Sequence, residues 1–183
     1  MVLIIVNDWS KATESLNKIL CQAIFLGGNK LLLQSREVNV SSADVKTLSD
    51  RLSLDTLVVG AKMISNHGGA AGVKKIDGIN SPWNTLALWN LSKLKWTGFI
   101  EVSNEKLGIP SGMEEVITIS ILQQLYPNEA HAKLVELSKL NWRATWNSKE
   151  RQKYHQEKMS SKLWRAEMQL KHSKVKPGVV TVL

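Results

Sequence analysis

Apolar positions along this chain alternate between short unbroken runs and stretches spaced at helical intervals. Val2–Val6 is a continuous β-rich run closed by Asn7-Asp8, which predicts a buried strand. Ser10 then caps a helix whose inner face holds Leu16, Ile19, Leu20 and Ala23, and Gly27-Gly28 stops it. Leu31-Leu32-Leu33 opens a second strand reaching toward Val40; Ser41-Ser42 caps a short helix with Val45, Leu48 and Leu52 inward. Thr56-Leu57-Val58-Val59-Gly60 reads as a third buried strand. Strands that are apolar throughout and alternate with helices predict an α/β domain whose central sheet is mostly parallel and flanked by helices.

The rhythm breaks at Asn66–Pro82, a Gly- and Asn-rich stretch that predicts a long loop, a feature often tied to function. Beyond it the pattern predicts a helix over Asn84–Leu94, a strand over Thr97–Val102 and a helix from Ser111 to about Leu125. Ser111 and Glu114 carry the spacing of a capping box. A further helix is expected from Glu129 to about Leu140, then one long helix from Asn147 toward His172. The stripe of that last helix, Met159, Leu163, Ala166 and Leu170, would dock it on the body, and Val179–Leu183 would add a terminal strand.

Composition changes this picture in one respect. The 183 residues are 43% hydrophobic and 22% charged, the balance of a globular domain, and no apolar run is long enough to span a membrane. Cys21 is the only cysteine, so an intrachain disulfide and a cysteine-based zinc site are excluded; its place near the inner face of the first helix predicts a buried thiol. The net charge of +8, however, lies entirely in Ser138–Lys176, which holds eleven Lys/Arg and three Glu. The expectation is a single domain over residues 1–183, neutral in its body, with a basic helical appendage at 138–176. Such a segment suits nucleic acid, an anionic membrane surface or a phosphorylated ligand, or is simply a solvated helix face.

P-loop, dinucleotide-fingerprint, zincin and nucleophile-elbow motifs are all missing. A different order of short motifs is present. Asp55-Thr-Leu-Val-Val-Gly-Ala61 is followed by the Gly-rich loop and then by Ser81-Pro-Trp-Asn-Thr-Leu-Ala-Leu-Trp89. Next come Trp96-Thr-Gly-Phe99 and, at a helix start, Gly112-Met-Glu-Glu-Val116. Together with Ile4-Ile-Val-Asn-Asp-Trp-Ser10 at the first strand end, this order resembles the GT-A glycosyltransferases, in particular inverting family-2-like enzymes, over about Val2 to Leu140.

The resemblance implies a Rossmann-like GT-A domain that moves a sugar from a nucleotide-diphosphate donor to a hydroxyl of a glycan, lipid or protein. Glu115 or Glu114 would deprotonate that hydroxyl, although Glu114 equally completes the capping box with Ser111. Asp8, with Asn7, would hold the nucleotide, or else form an Asx turn. A divalent cation, manganese or magnesium, would be held near the diphosphate. The family's Asp-x-Asp is missing; Glu37 and Asn39 are the nearest stand-ins, with His155 as a late metal ligand or a partly buried core histidine. Trp83 and Asn84 would face the acceptor, and His67, on a loop able to move over a sugar, is otherwise an exposed loop residue. Trp89 and Trp96 read as core, while Trp142, Trp146 and Trp164 pack the basic segment on the domain. The expected setting is cytoplasmic, with possible peripheral contact to a membrane, and the chain is short enough that a homodimer would complete the acceptor side. Two other readings stand: a non-enzymatic nucleic-acid-binding protein using the basic helix, and an inactive GT-A scaffold that binds a partner.

Overall fold

The computed structural model describes residues 12–64, 66–138, 140–142 and 148–183. The expected first strand, and with it Asn7 and Asp8, lies outside the described residues. The described residues open with α1 (Ala12–Phe25), which buries Leu16, Ile19, Leu20 and Ala23 as the spacing predicts. It ends at Gly27-Gly28, where the Gly28 N–H reaches back to the Ala23 carbonyl, 2.9 Å. Cys21 falls on the opposite face and is exposed, because the inner stripe runs through its neighbours Leu20 and Ala23.

Among the described residues, six strands form one sheet in the order β1 (Lys30–Gln34), β5 (Leu86–Asn90), β3 (Thr56–Ala61), β6 (His131–Val135), β8 (Val179–Val182) and β4 (Gly72–Lys75). The sheet is mixed. Only β3–β6 and β6–β8 are parallel, while β1–β5, β5–β3 and β8–β4 are antiparallel, so the mostly parallel expectation is replaced by an open mixed α/β sheet. β3 is buried at every position, as an apolar run between two neighbours must be.

Four predicted elements change type. Leu86–Trp89 is not helical: a four-residue apolar run suits a buried strand as well as a helix, and pairing on both edges decides for the strand. Only Leu91–Leu94 (α3) is helical there, capped by the Asn90 side chain. The expected helix over Glu129–Leu140 is β6 at its core, with Ala132 and Leu134 buried. Thr97–Val102 is irregular, held by Asn17 bonding both ways to the Phe99 backbone, at 2.7 and 2.8 Å. The long loop contains edge strand β4.

The second strand stops early. After β1 the chain turns, and β2 (Val38–Asn39) pairs instead with β7 (Asn141–Trp142) in a separate ribbon. α2 (Ser42–Arg51) carries the expected cap, a capping box between Ser41 and Asp44. α4 (Glu114–Leu125) follows a short 3₁₀ turn. The long terminal helix is two, α5 (Lys149–Ser160) and α6 (Lys162–Ser173), divided at Ser161. The predicted stripe also rotates. Ala166 and Leu170 are buried, but Leu163 is exposed, and Lys162, Arg165 and Gln169 turn inward with them. The chain then re-enters the sheet as β8, and Gly178 and Val179 donate to Ser120 and Gln123 of α4.

Candidate active site

The start of α4 is built by an unusual turn. Met113, the residue before the helix, adopts a left-handed conformation (φ 67°), and no side chain caps the helix. The expected Ser111–Glu114 box is therefore absent. A left-handed Met costs on the order of 1 kcal/mol or more and persists only where surroundings fix it. Here α6 fixes it. Arg165 donates from Nη1 to the Ser111 carbonyl at 3.1 Å, and Gln169 donates from Nε2 to the carbonyls of Pro110 (2.7 Å) and Gly112. Arg165 Nη2 also reaches the Lys158 carbonyl at the end of α5, 2.6 Å, so one guanidinium ties α5, α6 and the turn together.

The turn delivers two acids to one place. Glu114 accepts a hydrogen bond from Asn84 Nδ2 at 3.0 Å, and the Asn84 oxygen accepts from Trp89 Nε1, also 3.0 Å, which fixes the amide's orientation. Glu115 is buried. Its carboxyl is pushed up to about 7, first by burial and second by the adjacent Glu114 charge, against the opposing pull of Lys162 and Arg165. Asn84 and the two glutamates, far apart in sequence, thus share one cluster.

Trp83 precedes Asn84 in the chain. Its indole is fully buried, donates from Nε1 to the Gly78 carbonyl at 3.0 Å, and stacks on His67 with ring centroids 3.8 Å apart. Lys162 Nζ lies 3.9 Å from the centre of a Trp83 ring. His67 and Lys162 thus both pack on the indole. Two glycines permit this approach. On Gly60 a Cβ would lie 2.6 Å from the Pro82 Cβ, and on Gly78 it would overlap the Lys162 carbonyl.

His67 is wholly buried rather than an exposed loop residue, because Nδ1 accepts from the Met63 N–H at 3.0 Å and Nε2 lies 2.7 Å from the Ser81 carbonyl. That pattern requires the neutral Nε2–H tautomer, and burial lowers its proton affinity to about 4. Its role is to hold the loop, not to swing over a ligand.

Lys162 and Arg165 were not singled out in the sequence. Both are buried, and among the described residues neither has a carboxylate within 4 Å. Burial brings Lys162 down to about 8, opposed by Glu115, and lowers Arg165 as well. The signal that the sequence carries for them is their spacing with Gln169, a helical interval one step off the apolar stripe.

The proposed metal ligands sit to one side. Glu37 and Asn39 are exposed and flank buried Val38 in the β2–β7 ribbon. His155 lies edge-on to Trp142, centroids 5.8 Å apart, and is lowered by burial first and by Lys158 and Lys162, while the Glu37 charge opposes this. Glu37, His155 and Lys162 therefore share one electrostatic neighbourhood. As a cation cage the set fits poorly: it offers one carboxylate, and no group of three or more His, Cys, Asp or Glu side chains among the described residues is placed to hold a metal ion. Trp96 stands half-exposed against Tyr126 instead of in the core, and Trp164 is exposed; Trp146 lies outside the described residues. No helix among the described residues is long and apolar enough to cross a membrane. Compared with protein-family models, with curated proteins and with solved structures, the chain matches none.

Proposed function

We propose that this chain is a GT-A-type glycosyltransferase in which Glu115 is the base. The observation that carries the reading is the buried carboxyl of Glu115 next to a second acid that Asn84 anchors, an arrangement that raises its proton affinity toward neutrality. A base is most effective when its proton affinity lies near the working pH, and ordinary exposed glutamates lie well below it. In the reaction Glu115 accepts the acceptor's hydroxyl proton as the oxygen attacks the anomeric carbon. The bond from that carbon to the diphosphate breaks, and the nucleoside diphosphate leaves with the electron pair. Asn84 holds Glu114 beside Glu115, keeping the proton affinity of Glu115 high enough for the task.

Because Glu115 is covered by α6, substrate reaches it only when α5 and α6 shift about Ser161, a gating motion of the kind that sequesters many transfer reactions from water. The donor is a nucleotide-diphosphate sugar and the acceptor a hydroxyl of a glycan, lipid or protein.

The test is transfer or donor hydrolysis with a panel of uridine and guanosine diphospho-sugars. Glu115→Gln is expected to lose at least about 100-fold in kcat with donor binding retained. Absence of turnover with every donor, or a Glu115→Gln enzyme as fast as the parent, overturns the proposal.

A further inference from the structure

The two buried cations of α6 are poorly satisfied. Lys162 Nζ has three N–H donors, and its neighbours among the described residues are the Met113 sulfur at 3.9 Å and the Trp83 face at 3.9 Å, neither of which is an oxygen. Arg165 uses two nitrogens on carbonyls, but its Nε is buried with no partner. Burying an ammonium and a guanidinium with no carboxylate in ion-pair contact is costly, and such groups are normally paired; Glu115 acts on both only from beyond that range. Lys162 and Arg165 stand one helical turn apart on the same inward face, adjoining Glu115. Glu37, Asn39 and His155, by contrast, offer a divalent cation a single carboxylate.

We infer that Lys162 and Arg165 form an anion subsite for the diphosphate of a nucleoside-diphosphate sugar, supplying the charge neutralisation that a divalent cation would otherwise provide. This rests on the transferase reading and adds to it a substrate contact and independence from metal. An ammonium and a guanidinium fork both suit phosphate oxygens, the first as a point charge and the second through directed N–H groups. A diphosphate bridging them meets Lys162's free donors and Arg165 Nε, and it stands beside the base that receives the acceptor's proton. As the leaving group takes up negative charge, the same two cations stabilise it.

The test measures binding of UDP, GDP, pyrophosphate and phosphate by titration calorimetry in EDTA, then with manganese, on the parent, Lys162→Met, Arg165→Met and Lys162→Arg. Expected is diphosphate binding in EDTA that manganese leaves unchanged. Each Met variant should weaken it at least tenfold, and Lys162→Arg should restore it. Removing the unpaired ammonium should leave Lys162→Met at least as heat-stable as the parent, which separates lost binding from lost folding. A nucleoside diphosphate held more tightly than pyrophosphate identifies a nucleotide site, and equal affinities a bare diphosphate site. Binding that requires manganese, or that the Met variants retain, overturns the inference and leaves the transferase reading standing. Metal-free binding in an enzyme that transfers no sugar fails that reading alone, and no diphosphate binding to the parent in either condition defeats the subsite.

Discussion

The buried Glu115 gives stability an unusual pH dependence, and Glu115→Gln isolates it. In the unfolded chain the carboxyl titrates near 4.5, and in the folded protein near 7. Below 4.5 it is neutral in both states and contributes nothing to the difference. Between 4.5 and about 7 the native state keeps a proton that the unfolded chain has released, so stability falls as pH rises; above about 7 the penalty is complete. A displacement of that size corresponds to roughly 3 kcal/mol, to be read as an order of magnitude because Lys162 titrates with it. Lys162 works with the opposite sign in the next window: its cation is disfavoured in the fold, so stability recovers from about 8 toward 10.5. The parent should therefore pass through a minimum of stability near pH 7–8. Urea unfolding at pH 5, 6, 7 and 8 on the parent and Glu115→Gln should show the substitution near neutral at pH 5 and stabilising by about 2–3 kcal/mol at pH 8. A difference that stays constant across that range would refute the assignment of a raised carboxyl.

Four further outcomes follow from the same coordinates. Gly78→Ala forces a methyl into the Lys162 carbonyl and should cost about 1–3 kcal/mol, read by urea unfolding, with faster exchange of the α6 amides. Trp83→Ala removes the buried indole on which His67 and Lys162 pack and should cost about 3–5 kcal/mol in the same measurement. His67, held neutral down to about 4, contributes stability that is complete above 6.5 and is lost as pH falls from 6.5 toward 4; nitrogen NMR at pH 6 should report a protonated Nε2 and a bare Nδ1. Ser41→Ala removes one half of the box that starts α2 and should cost about 1 kcal/mol in thermal unfolding.

How far the sequence speaks for itself depends on what each residue's pattern excludes. The stop of α1, the cap of α2, the fully apolar β3 and the closing β8 were legible because local chemistry and tertiary demand agree there. Leu86–Trp89 and His131–Val135 were not, since a short buried run has no period and only its neighbours choose between helix and strand. Of the candidate site, the sequence offers Glu114, Glu115, Trp83 and Asn84, and a hydrogen bond joins Asn84 to Glu114. Lys162 and Arg165 escaped notice because charged residues in a basic helix are expected to face water, and nothing local marks the two that do not. The burial of His67 escaped for the reverse reason: two backbone partners, one of them fourteen residues away, are invisible in a Gly-rich stretch.

The position of β8 reaches into how the molecule is made. Among the described residues β4 bonds to no strand but β8, so the sheet's outer margin exists only once Val179–Val182 has emerged and slid in beside β6. Until then a nascent chain exposes one flank of β6 and leaves Gly72–Lys75 without a mate, a prolonged window in which chaperones, or a like chain, find an open edge.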